Sequence, residues 1–119
     1  MTDIDRTLWG TGTPRTLRPL WALLELGLAF EHRKILPRSP GMDTPEFRAL
    51  NERQKVPFYK DDRVQIGESA AIVNYLADRY GKDVLAMPGP GTLERATLMD
   101  HTMYLMTEID ARLYTTRLH

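Results

Sequence analysis

Lys55-Val56-Pro57-Phe58-Tyr59 and, a few residues on, Glu68-Ser69-Ala70-Ala71-Ile72-Val73-Asn74-Tyr75-Leu76 decide how this chain is read. The proline opens a short strand to Lys60. A turn at Asp61-Asp62 leads into a second strand, Arg63 to Ile66, which Gly67 breaks. Glu68-Ser69 then begins an amphipathic helix to Tyr80, with Ile72, Val73, Leu76 and Tyr80 on one side and Gly81 as its stop. Read as an edge strand, the first of these strands sets an extended backbone edge beside a helix N-terminus, whose unpaired N–H groups and partial positive charge suit a carboxylate. Such a corner fits a small peptide that carries both a free carboxylate and a free amine.

Upstream, Arg6-Thr7-Leu8-Trp9 predicts a strand that ends in the loop Gly10-Thr11-Gly12-Thr13-Pro14. Leu17, Leu20, Trp21, Leu24 and Leu28 recur at helical spacing, with Gly27 as a breaker. Phe30 to Leu36 predicts a second strand, followed by a turn-rich loop from Pro37 to Asp43. Thr44-Pro45-Glu46 is a helix start, with a capping hydroxyl, proline at the first helical position and an acid in the first turn. That helix ends near Leu50 to Glu52. The order β-α-β-α-β-β-α predicts a mixed sheet with helices packed over it. Downstream of the linker-like Met87-Pro88-Gly89-Pro90-Gly91, an apolar stripe of Leu93, Ala96, Met99, Met103, Met106, Ile109 and Leu113 predicts one long helix.

Composition narrows the function. Sixteen basic and sixteen acidic residues cancel, with no basic stripe, which speaks against a nucleic-acid partner. No apolar run approaches the roughly 20 residues of a membrane span, and the acidic start Met1-Thr2-Asp3-Ile4-Asp5 is unlike a signal peptide. The chain is therefore expected to be soluble and cytoplasmic, without a membrane partner. It has no cysteine, so any thiol chemistry must use a thiol brought by the ligand. His32, His101 and His119 have no spacing that makes a metal site, and no metal is expected.

The chain resembles the N-terminal, thioredoxin-like domain of cytosolic glutathione S-transferases. The resembling residues are Leu20 to Leu28, then Asn51 with Lys55-Val56-Pro57, then Glu68 to Ile72 with Tyr75-Leu76. The resemblance covers roughly residues 6–81. It departs from the family at Asn51-Glu52-Arg53-Gln54, where the family's loop reads Asn-Pro-x-Gly. It implies an α/β fold with a glutathione-binding domain at 1–82, a linker at 83–91, and at 92–119 the first helix of an incomplete all-α domain. It also implies glutathione as substrate, conjugation to a small electrophile, and a homodimer.

Residue roles follow from the resemblance. Val56, before a cis Pro57, would pair with the cysteinyl backbone of glutathione as an added strand does. Ser69 and the helix N-terminus would hold the γ-glutamyl carboxylate, Glu68 the ammonium group, and Lys55 the glycine carboxylate. A competing role for Ser69 is simple helix capping. Counting back from Arg18-Pro19-Leu20-Trp21, Thr13 falls where the family places its catalytic serine or cysteine, with Thr11 in reserve. The residues leave open whether these threonines only shape a turn. Were Thr13 the helix cap, Pro19 would lie inside the helix at a cost of about 3 kcal/mol. The helix is therefore expected to start at Thr16, with Thr13 in the loop ahead of it. Arg15 and Arg18 could strengthen the positive field at the thiolate, but exposed arginine is the usual case and they are read as solvated. The predicted activity is a hydroxyl-type glutathione transferase, since without cysteine the chain cannot form a mixed disulfide with glutathione. The alternative is a non-catalytic glutathione-binding or interaction module on the same fold.

Overall fold

The computed structural model describes residues 5–118; most of the acidic N-terminal segment, residues 1–4, and His119 lie outside them. The chain divides into two compact units, residues 1–86 and 87–119.

The first unit is a four-stranded mixed sheet in the order β2-β1-β3-β4, with helices α1 and α3 packed against each other. Its strands are β1 (Thr7–Trp9), β2 (Glu31–Arg33), β3 (Phe58–Lys60) and β4 (Gln65–Gly67). Its helices are α1 (Pro14–Glu25), α2 (Pro45–Leu50) and α3 (Ser69–Tyr80). β1 runs parallel to β2 and antiparallel to β3, and β3 runs antiparallel to β4. This is the expected α/β, thioredoxin-like arrangement. Leu8, Leu23, Tyr59, Ile72 and Leu76 are fully buried and form the centre of the core.

Three local expectations are corrected. β3 is not an edge strand: it lies between β1 and β4, so both of its sides are paired. Strand pairing is non-local, and the alternation of side chains along β3 carries no trace of it. α1 starts at Pro14, two residues before the expected start, with Thr13 as its cap and Pro19 inside the helix. Pro14 at the first position and a reciprocal capping box between Thr13 and Thr16 stabilise the early start. Full burial of Pro19 offsets the hydrogen bond its missing N–H cannot make to Arg15. Finally, the buried face of α1 is Thr16, Pro19, Ala22 and Leu23, whereas Leu17, Trp21 and Leu24 are more than half exposed. Small residues let α1 approach α3 closely; Trp21 satisfies its indole N–H outside, donating to Glu25 at 3.0 Å.

α2 forms as read: the Thr44 hydroxyl accepts from the Phe47 N–H at 3.1 Å. β2 is shorter than read, because the chain bends after Arg33 with the Ile35 N–H donating back to the Arg33 carbonyl.

The second unit is a helical path, α4 (Leu93–Tyr104) and α5 (Ala111–Leu118), joined by a π-helical stretch, Leu105–Asp110. Thr92 caps α4, accepting from the Arg95 N–H at 3.1 Å. No residue of α4 or of the π-helical stretch is buried. Among the described residues no helix is long and apolar enough to cross a membrane.

Candidate functional site

Strand register gathers the predicted motifs at one end of the sheet. Trp9 pairs with Phe58, so Gly10 and the threonine loop follow on beside Pro57. Phe58 also pairs with Gly67, so Val56-Pro57 runs back beside Glu68-Ser69. The Val56–Pro57 bond is cis. Neither the N–H nor the carbonyl of Val56 is bonded to another backbone group among the described residues.

Gly10 lets the loop close onto that corner. A Cβ there would sit 2.8 Å from both Thr16 Cγ2 and Val56 Cβ, and its φ of +124° is unsuited to an L side chain. His32 fixes the same peptide, Nε2 lying 2.8 Å from the Gly10 carbonyl. Because a carbonyl only accepts, that nitrogen carries the hydrogen.

Beyond Gly10 lies a cavity of about 340 Å³, lined by Gly10 to Pro14 with Thr16, Leu17 and Leu20. Thr11 and Thr13 both face it; Lys55, Val56, Pro57, Glu68 and Ser69 are not among its lining residues. Thr13 Oγ1 accepts from the Thr16 N–H at 3.2 Å and lies 3.1 Å from Thr16 Oγ1. The Thr16 hydroxyl donates to the Thr13 carbonyl at 2.8 Å and so is committed to the backbone. The Thr13 hydroxyl in turn donates to Thr16 Oγ1 at 3.1 Å, at the positive end of a 12-residue helix. A hollow of about 560 Å³ along α4, between Leu93 and Leu105, includes none of the predicted residues.

At the head of α3, Glu68 rather than Ser69 is the cap. Glu68 is exposed, its side chain makes no capping bond, and its backbone takes φ +61°, ψ +112°. A non-glycine residue in that sparsely populated region carries strain of about 1–3 kcal/mol, and such residues cluster at ligand sites. Ser69 is buried, 6% exposed. Against the expectation of a solvated side chain, Arg18 reaches across from α1, its Nη1 donating to Ser69 Oγ at 3.0 Å. Sequence separation hides this pair, which is 51 residues apart.

Lys55 is exposed, and its carbonyl accepts from Asn51 Nδ2 at 2.7 Å. Asn51 is buried, so it pins the segment leading into Val56. Gln54, which stands where the resembling loop has glycine, adopts φ +49°. Its side chain donates to the Met42 carbonyl at 3.2 Å.

A second cluster, not foreseen, holds the far end of the β3–β4 hairpin. The buried Asp61 carboxylate accepts from the Tyr75 hydroxyl at 2.7 Å, Arg79 Nη1 at 2.9 Å and the Tyr59 hydroxyl at 3.0 Å. It also accepts from the N–H groups of Arg63 and Val64, at 2.8 and 3.0 Å. Burial alone would raise its pKa, but the bonds from the Arg63 N–H, the Tyr75 hydroxyl, the Val64 N–H and the Tyr59 hydroxyl prevail and lower it to about 2. Burial, and then Asp61 itself, push the Tyr59 phenol upward. Among the described residues no group of three or more His, Cys, Asp or Glu is placed to hold a metal.

Comparison with known proteins shows the family and the fold. Residues 12–88 match the family described as "Glutathione S-transferase, N-terminal domain". The chain is 36% identical over 75 residues to a glutathione S-transferase-like protein, gedE, of Aspergillus terreus, covering 61% of this chain and 32% of that protein. It is 37% identical over 67 residues to glutathione S-transferase 3 of Schizosaccharomyces pombe, covering 56% of this chain and 27% of that one. The crystal structure of the theta class glutathione S-transferase of Xanthomonas axonopodis pv. citri, with glutathione bound, superposes with a TM-score of 0.79 at 29% identity. That match covers 92% of this chain and 52% of the other. The alignments thus span about a third of the length of the curated relatives and about half of the solved structure.

Proposed function

The chain belongs to the glutathione S-transferase family, and from that membership we propose that it binds glutathione, activates the thiol and conjugates it to a small electrophile. One observation carries the reading: Gly10 brings the loop containing Thr13 against Val56, beside the head of α3. In this reading the N–H and carbonyl of Val56 pair with the cysteinyl backbone of glutathione, delivering its sulfur to the α1 N-terminus. Ser69 and the head of α3 hold the γ-glutamyl carboxylate, Glu68 the ammonium group, and Lys55 the glycine carboxylate.

The chemistry needs a thiolate. A cysteine thiol with a pKa near 8.5 is mostly protonated at neutral pH, and each unit of depression corresponds to about 1.36 kcal/mol of preference for the anion. In this reading the Thr13 hydroxyl turns its proton from Thr16 Oγ1 to the sulfur, while the N–H groups of the first turn of α1 add their field. The thiol proton passes to solvent, the sulfur pair forms the bond to carbon, and the leaving group departs with its own pair. Thr11, lining the same cavity, is the reserve donor. A homodimer and a cytoplasmic, detoxifying role complete the proposal by analogy with the family.

A second reading, glutathione binding without turnover, draws on the engagement of Thr13 Oγ1 in the capping box. Titrating glutathione at neutral pH while following ultraviolet thiolate absorbance, with an aryl halide as acceptor, separates the two. The expected result is a thiolate signal and turnover, both reduced about tenfold or more in Thr13→Ala, with a similar Kd. Binding with no thiolate signal supports the second reading. No binding removes both.

A further inference from the structure

We propose that Arg18 is a positioning residue of the γ-glutamyl subsite, acting through Ser69; this rests on the glutathione reading above. Guanidinium groups only donate hydrogen bonds. In the Arg18–Ser69 contact at 3.0 Å the serine oxygen is therefore the acceptor, and its own proton must point to a different acceptor. At the first position of α3, with 6% of its surface exposed, Ser69 has few directions left for that proton.

The bond fixes the polarity of the subsite. A serine oxygen has one proton and two lone pairs; accepting from Arg18 occupies one lone pair and turns the proton away from the guanidinium, free to donate to a ligand. A proton so oriented suits a carboxylate, so Ser69 is positioned to donate to the acidic end of the γ-glutamyl head, with the amine left to Glu68. Arg18 also carries a guanidinium to a helix head whose cap is Glu68 and whose first turn contains no acidic residue. Because Arg18 lies on the same helix as Thr13, the bond ties the thiol-activating element to the head-binding element.

The test compares two ligands on the 119-residue chain by calorimetry. One is glutathione; the other is 4-aminobutyryl-cysteinyl-glycine, which lacks only the γ-glutamyl carboxylate. Arg18→Gln and Ser69→Ala are each expected to weaken glutathione binding about tenfold, about 1.4 kcal/mol. The double variant is expected to be no weaker than either single variant, as for two members of one contact. Binding of the decarboxylated analogue is expected to be the same in all four proteins. Arg18→Lys, which keeps the charge and the packed stem, covers the case in which Arg18→Gln fails to fold; a smaller loss is expected, again confined to glutathione. Equal glutathione binding by the Arg18 variants, additive losses, or equal losses with both ligands would each overturn the proposal. Failure of the unmutated chain to bind glutathione would instead remove the reading on which it rests.

Discussion

At the scale of the residue, Gly10 has the most to lose by substitution. An alanine methyl group there would sit 2.8 Å from Thr16 and from Val56 on a backbone of φ +124°. Overpacking and a forbidden dihedral act together, so Gly10→Ala should lower stability by about 2–4 kcal/mol. A shift of the urea midpoint with an unchanged slope checks this; an unmoved midpoint would mean the loop and Val56 are not in contact. From sequence, Gly10 reads only as part of a loop, because the close approach involves residues 46 positions away. That Val56-Pro57 and Glu68-Ser69 lie together at one end of the sheet is legible, because their pattern is compact and a proline and a helix start are local signals. The reach of Arg18 is not, because no local signal distinguishes a solvated arginine from one that spans two helices. Gln54 departs from the family pattern yet takes the left-handed backbone that the glycine there would supply without strain.

At the scale of the element, the Asp61 cluster joins the β3–β4 hairpin to the C-terminal half of α3. The carboxylate has a folded pKa of about 2 against an ordinary 3.8. A depressed folded value means its contribution is complete above about pH 4 and is lost as the pH falls through about 2; the depression corresponds to about 2 kcal/mol. Asp61→Asn should cost about 3 kcal/mol at neutral pH, because one carboxylate oxygen becomes an NH₂ facing N–H or O–H donors. The variant should also lose much of the acid dependence between pH 4 and 2, measured as denaturant midpoints against pH. An unchanged acid slope would place the titrating group elsewhere.

The same elements explain what could be read in advance. α2 and α3 are legible because Thr44-Pro45, Glu68-Ser69 and Gly81 mark their ends within a few residues. The start of α1 is not, because its capping box is Thr13-Thr16 rather than threonine with a glutamate, and because the burial that offsets the cost of Pro19 is tertiary and leaves no local mark. The position of β3 between two partners depends on β1, about fifty residues earlier, and leaves no mark on its own sequence.

At the scale of the whole molecule, the two units differ in what stabilises them. Residues 1–86 contain the sheet, the buried cluster around Leu8, Leu23, Tyr59, Ile72 and Leu76, and every residue assigned to glutathione. A unit of that size with its own core is large enough to fold alone. Residues 87–119 have no buried side chain in α4 or the π-helical stretch, and Leu93, Met103, Leu105 and Leu113 are at least half exposed. Thr97, Thr102, Thr107, Thr115 and Thr116 turn their hydroxyls back onto carbonyls four residues earlier, a bond that adds no tertiary contact. Most helical stability in proteins comes from packing an apolar face rather than from propensity. A chain ending at residue 86 should therefore unfold in one cooperative transition and bind glutathione with unchanged affinity. A peptide of residues 87–119 should be partly helical by circular dichroism and lose that signal gradually on heating. A sharp transition in the peptide, or a non-cooperative 1–86, would show that the stability of the sheet unit does not come from its own core.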